Sequence, residues 1–172
     1  MVTQGYSEDY IKPFWDDSYK RLYYIQEGFN DIDSVNRWRN QGYSNQFTGY
    51  MCDMCSPQPE WNHQFIEHFS NKGWRDIGTS YYRMDTSTVL PVHKDLYKKY
   101  VELFNLQGKE STIYRAIIFL EDWQSGHYAE YNGEPYVNWL AGNVVEWQYD
   151  LTHMAANLGL TPRYTLQITG HV

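Results

Sequence analysis

The triplet His93-Lys94-Asp95 places an imidazole and a carboxylate two residues apart, at the end of the β-branched and aliphatic run Thr88-Val-Leu-Pro-Val. In an extended strand alternate side chains share a face, so His93 and Asp95 would converge while Lys94 points away. That is two-thirds of a metal site. A second imidazole on a neighbouring strand would complete it, and His153 in Leu151-Thr-His-Met-Ala-Ala-Asn-Leu-Gly meets that need. Two His and one carboxylate on one face of an octahedron suit non-haem Fe(II), leaving three positions open for a bidentate cosubstrate and O2.

Ten residues past His153 stands Arg163, with Thr165 on the same strand face. No Lys or Arg occurs between Arg115 and Arg163, and the strand that carries Arg163 is otherwise apolar or uncharged. An Arg in that setting needs a partner. Its guanidinium is a planar fork for a carboxylate, and the Thr hydroxyl can add a third hydrogen bond.

Strands are required to hold these groups, and the pattern supplies them after residue 75. Candidates fall at 79–85, 90–95, 113–121, 127–131, 136–139, 143–148, 151–156 and 163–169, separated by turn signals such as Asn132-Gly133. A helical insert covers 96–106. Antiparallel strands with short turns suit a jelly roll, whose two sheets wrap a pocket. Before residue 75 the chain reads as short helices and loops. One helix starts near Asp33 with plausible caps, and another over 59–69 carries the apolar stripe Trp61, Phe65, Ile66 and Phe69. The expectation is a single domain over 1–172, mainly β with flanking α, cupin-like, with residues 1–74 packed on a jelly-roll core of 75–172.

Composition agrees with one self-sufficient core. A chain of 172 residues, 18% of them aromatic, buries roughly 70% of its unfolded surface without help from disulfides. Its 14 basic and 21 acidic residues leave a net charge of −7, which argues against duplex nucleic acid as a partner. The two cysteines form no disulfide framework. The first ten residues lack a basic region followed by an apolar one, and no run of about 18 apolar residues occurs. A cytoplasmic protein with no membrane partner is expected.

Taken in order, His93-x-Asp95, His153, Arg163 and Thr165 resemble the Fe(II)- and 2-oxoglutarate-dependent oxygenases, over about 79–172. Flanking pieces are similar to the prolyl hydroxylase and aspartyl/asparaginyl β-hydroxylase branches: Tyr81-Tyr-Arg-Met-Asp, Phe119-Leu-Glu-Asp-Trp-Gln-Ser-Gly and Leu140-Ala-Gly-Asn-Val-Val-Glu-Trp. The resemblance implies a double-stranded β-helix with Fe(II) on His93, Asp95 and His153. It also implies 2-oxoglutarate held at its distal carboxylate by Arg163 and Thr165, and oxidation of a C–H bond by O2 with succinate and CO2 as coproducts. Tyr82 would hydrogen-bond the cosubstrate. Arg115 resembles a second Arg that reaches the 1-carboxylate, and a strand-edge ion pair is its other reading. Prolyl hydroxylases usually carry Lys where this chain has Arg163, so the branch and the substrate stay open between a peptidyl residue and a small molecule.

Other readings compete. A non-catalytic cupin-type ligand-binding protein would use the same three metal ligands, but has no need of Arg163. A zinc hydrolase would need a general base that no motif supplies. Cys52-x-x-Cys55 with His63 and His68 has the residue types of a zinc site, but its spacings are wrong for one, and two free thiols are the expectation. His127 reads as a solvent-facing turn residue and His171 as frayed at the C-terminus. Trp123, Trp139 and Trp147 read as core or as lining of a groove. Oligomeric state is written in no motif.

Overall fold

The computed structural model describes residues 5–26, 28–44 and 47–172. The strands among them are β1 (Tyr6–Tyr10), β2 (Ile25–Gln26), β3 (Tyr50–Cys52), β4 (Arg75–Met84), β5 (Thr88–His93) and β6 (Ile113–Phe119), followed by β7 (His127–Tyr131), β8 (Glu134–Tyr136), β9 (Asn143–Gln148), β10 (His153–Asn157) and β11 (Arg163–His171). The helices are α1 (Ile32–Asn40), α2 (Asn62–Asn71) and α3 (Lys98–Phe104). Antiparallel pairing builds a seven-stranded sheet in the order β1-β9-β6-β11-β4-β3-β2 and a four-stranded sheet in the order β5-β10-β7-β8. The fold is a jelly roll with flanking helices.

Alternation along the central strands of the larger sheet separates core from cavity. Leu166 and Ile168 of β11, Tyr81 of β4 and Ala116 and Ile118 of β6 pack on one side with Phe65 and Phe69 of α2. Their strand neighbours Arg163, Thr165, Gln167, Tyr82 and Arg115 line a cavity on the other side. The stripe expected on α2 is what binds it there. Phe65 and Phe69 are fully buried, each contributing roughly 1.5–3 kcal/mol, while Trp61 packs at the margin and Ile66 is half-buried. Between the sheets, Phe119, Tyr131, Trp139, Val145 and Trp147 form a second core that closes one end of the roll.

The N-terminal segment is less helical than its composition suggests, because β1, β2 and β3 extend the larger sheet. Tyr6–Tyr10 is mostly exposed and is held by its register with β9, so no hydrophobic alternation announces it. The strand expected over 136–139 is instead β8, at Glu134–Tyr136. Pro135 is tolerated because β8 is a sheet edge, and Asn138, with φ 58°, turns the chain away. Two histidines also depart from expectation. His127 is buried and bonded through Nε2 to the Thr161 carbonyl at 2.9 Å, and His171 ends β11 with its Nε2 2.7 Å from Asp76 Oδ2. No helix among the described residues is long and apolar enough to cross a membrane.

Candidate metal centre

Strand pairing brings the two imidazoles together, since His153 at the start of β10 lies in register with His93 at the end of β5. Their ring centroids are 4.3 Å apart. Each ring is fixed through Nδ1, His93 to the Pro91 carbonyl at 2.7 Å and His153 to the Leu151 carbonyl at 2.9 Å. Those acceptors place the proton on Nδ1 and leave both Nε2 lone pairs free to bind a metal. Asp95 Oδ1 is 3.7 Å from Nε2 of each histidine. Among the described residues this is the one group of His, Cys, Asp and Glu side chains gathered tightly enough to hold a metal ion.

The convergence of His93 and Asp95 arises differently from the strand alternation expected. The strand β5 ends at His93, and Asp95 reaches back from the following loop. Two residues on, Tyr97 adopts a left-handed backbone at φ 51° and ψ 18° before α3 begins. A bulky residue in that region is strained, as is common beside functional groups. Burial, helped by the neighbouring His153, pushes His93 down to about 4, so its imidazole is neutral at pH 7. Burial opposes the charged form of Asp95, but the Arg115 guanidinium together with the His153 and His93 imidazoles outweighs it and holds the carboxyl well below the usual carboxylate range. Two imidazoles and one carboxylate are the donor set a divalent transition metal takes. The residues fit such an ion.

The cavity, of about 540 Å³, runs between the sheets from this cluster to Arg163. Arg163 is 6% exposed. Its Nη1 meets the Tyr128 carbonyl at 3.4 Å and Met84 Sδ at 3.8 Å, and its guanidinium lies over the rings of Trp139 at 5.4 Å and Phe119 at 5.6 Å. Among the described residues its buried Nε has no hydrogen-bond partner, and no carboxylate forms an ion pair with it. Burial accordingly lowers its pKa. Thr165 and Tyr82 face each other across β11 and β4 and line the same cavity. The Tyr82 hydroxyl accepts from the Gly49 N–H at 2.5 Å, which leaves its own proton to donate. Burial raises the Tyr82 pKa and keeps that proton in place. Gly49 must be glycine for this approach, because a Cβ there would run into the Arg83 carbonyl oxygen.

Arg115 sits in a central strand, not at a sheet edge, with Nε 3.2 Å from Asp95 Oδ2. The remaining residues singled out are dispersed or structural. Cys52 is buried and Cys55 exposed, both free thiols, and His63 bonds the Glu60 carbonyl. Trp147 lines the cavity, Trp139 stacks on Phe119 at 4.1 Å, and Trp123 donates to the His127 carbonyl at 2.8 Å. Tyr131, which lies in register with His153, and Gln167, which follows Thr165 on the same face, also line the cavity. Gln167 was legible from the alternation that links Arg163 to Thr165, whereas Tyr131 carried no signal beyond being an aromatic on a strand.

No family model matches this chain, and no curated protein does. Solved structures do match. A prolyl-4-hydroxylase from Pseudomonas putida superposes with a TM-score of 0.60 at 14% identity, over 99% of this chain and 94% of that one. The non-haem α-ketoglutarate-dependent carbocyclase SnoK from nogalamycin biosynthesis gives 0.58 at 12% identity, over 98% of this chain and 79% of that one. A cupin protein from Bacteroides fragilis gives 0.40 at 14% identity over 57% and 68%, an overlap too loose to argue from. At these identities the likeness establishes the fold alone, a jelly roll that this chain shares with the hydroxylase and the carbocyclase.

Proposed function

We propose that this protein is an Fe(II)- and 2-oxoglutarate-dependent dioxygenase that hydroxylates a C–H bond of a peptidyl residue or a small molecule. The observation that carries the reading is Arg163: a buried guanidinium without a counter-charge among the described residues, in the same cavity as the cluster of His93, Asp95 and His153. An uncompensated buried cation is expensive unless an anion completes it. On this reading Arg163 forks the distal carboxylate of 2-oxoglutarate, while Thr165 and Tyr82 donate hydrogen bonds to the cosubstrate. His93, Asp95 and His153 hold the iron, and Tyr131 and Trp147, which line the cavity, exclude water. Iron, when bound, supplies the redox chemistry that couples O2 and decarboxylation of the cosubstrate to oxidation of the substrate. A cupin that only binds ligand accounts for the three metal ligands and leaves Arg163 without a purpose.

A peptidyl residue is the first substrate class and a free small molecule the second. The cavity is open at its mouth, where exposed Met54, Leu96 and Leu103 offer apolar contact. The net charge of −7 disfavours duplex nucleic acid. Two free thiols fit a reducing, cytoplasmic setting.

Calorimetric titration of the Mn(II)-loaded protein under anaerobic conditions tests the cosubstrate. 2-Oxoglutarate should bind at least about 30-fold more tightly than pyruvate, which keeps the chelating head and lacks the distal carboxylate. Equal binding of the two would remove the basis of the proposal.

A further inference from the structure

Arg115 has surroundings that a cosubstrate-binding arginine would not need. Its Nε lies 3.2 Å from Asp95 Oδ2, an ion pair in which the N–H is not aimed well enough for a hydrogen bond. The two Nη groups are taken by Gln167, whose amide oxygen, in the orientation that satisfies both residues, accepts from Nη1 and from Nη2 at 3.1 Å. The flat face of the guanidinium lies 4.9 Å from the centre of the Tyr97 ring. Tyr97 is buried and strained in the left-handed region, and its hydroxyl makes no well-aligned hydrogen bond among the described residues. Asp95 itself keeps 22% side-chain exposure toward the cavity and stands on a loop with no strand ladder to fix it. Something else must set which oxygen faces the imidazoles.

We infer that Arg115, gripped by Gln167 and Tyr97, is the positioning residue that ties Asp95 Oδ2 and so presents Oδ1 to the metal with His93 and His153. This rests on the metal-binding part of the proposed function and replaces the role of 1-carboxylate ligand for Arg115. A guanidinium already committed to a carboxylate, an amide and a ring has little left for a cosubstrate. The arrangement also explains the strained Tyr97, whose left-handed turn carries the chain from Asp95 into α3 while setting its ring beneath Arg115.

Two titrations test the inference. Co(II) binding is followed by its visible ligand-field absorption in the wild type, Arg115→Ala and Arg115→Lys. 2-Oxoglutarate is then added at saturating Co(II) in the absence of O2. Arg115→Ala should weaken Co(II) roughly 10–100-fold and alter its spectrum, as removal of the outer partners of a metal site does. Lys restores charge but not the fork, so Arg115→Lys should recover part of the loss. The affinity for 2-oxoglutarate at saturating metal should stay within about twofold in both variants. Co(II) affinity in Arg115→Ala within twofold of wild type would overturn the inference, and a selective loss of 2-oxoglutarate binding would return Arg115 to the cosubstrate. If Arg115→Ala does not fold, Arg115→Lys decides: weaker Co(II) binding supports the inference and wild-type affinity overturns it. A wild-type protein that binds Co(II) and ignores 2-oxoglutarate would sink the oxygenase reading while leaving this one standing.

Discussion

Two buried arginines face the same cavity from the larger sheet, and their company differs. Arg115 on β6 is opposite Thr169 of β11, six residues along that strand from Arg163, or about 20 Å of backbone. Arg115 has a carboxylate, an amide and a tyrosine ring around it. Arg163 has a carbonyl, a thioether and two aromatic rings, and no anion among the described residues. Burial is alike, so the missing counter-charge marks the difference in task. On the proposed function, one arginine completes a metal site within the protein and the other waits for an anion from outside.

The largest effect expected belongs to neither arginine but to a residue of the metal cluster. His93→Ala should abolish metal retention, a loss beyond the roughly 10–100-fold that outer partners of a metal site command, checked by metal analysis after dialysis. Next comes the contrast itself, read by urea unfolding of the apoprotein. Arg115→Met should lower stability by about 3 kcal/mol or more, because Asp95 is left buried without its partner. Arg163→Met should instead raise it by about 1 kcal/mol, since an unpaired buried charge is replaced by an apolar chain of similar length. Shifts of the same sign would break the comparison.

Ligand binding sharpens it further. Arg163→Met should keep Mn(II) affinity and weaken 2-oxoglutarate by about 2 kcal/mol or more, roughly 30-fold, in the anaerobic calorimetric titration. Smallest are Tyr82→Phe and Thr165→Val. Each removes one neutral hydrogen bond worth about 0.5–1.5 kcal/mol and should weaken 2-oxoglutarate a few-fold in the same assay.

Much of this comparison was legible in the sequence because strand alternation is a local rule. The apolar and polar residues of 163–169 sort themselves into a core face and a cavity face without any knowledge of the partner strands. The stripe on α2 was equally local. Asp95 was found by a rule that does not hold for it, since its place is set by the loop after β5 and by Arg115, a residue twenty positions away in sequence. The partnership of Arg115 with Gln167 depends on which strands neighbour each other, and the lateral order of β6 and β11 is not written in either segment. For the same reason β1 escaped notice: its polar residues are strand-forming only because β9 offers an edge.

The central claim is that the His93, Asp95 and His153 cluster and Arg163 serve one chelated cosubstrate. The most direct measurement is an anaerobic titration of the apoprotein with Fe(II) and then 2-oxoglutarate, following the weak visible charge-transfer band of the chelate. The band should appear only when both are present, should be absent in His93→Ala, and should require far more 2-oxoglutarate in Arg163→Met. Fe(II) bound with no band on adding 2-oxoglutarate, or a band that Arg163→Met leaves unchanged, would contradict the claim.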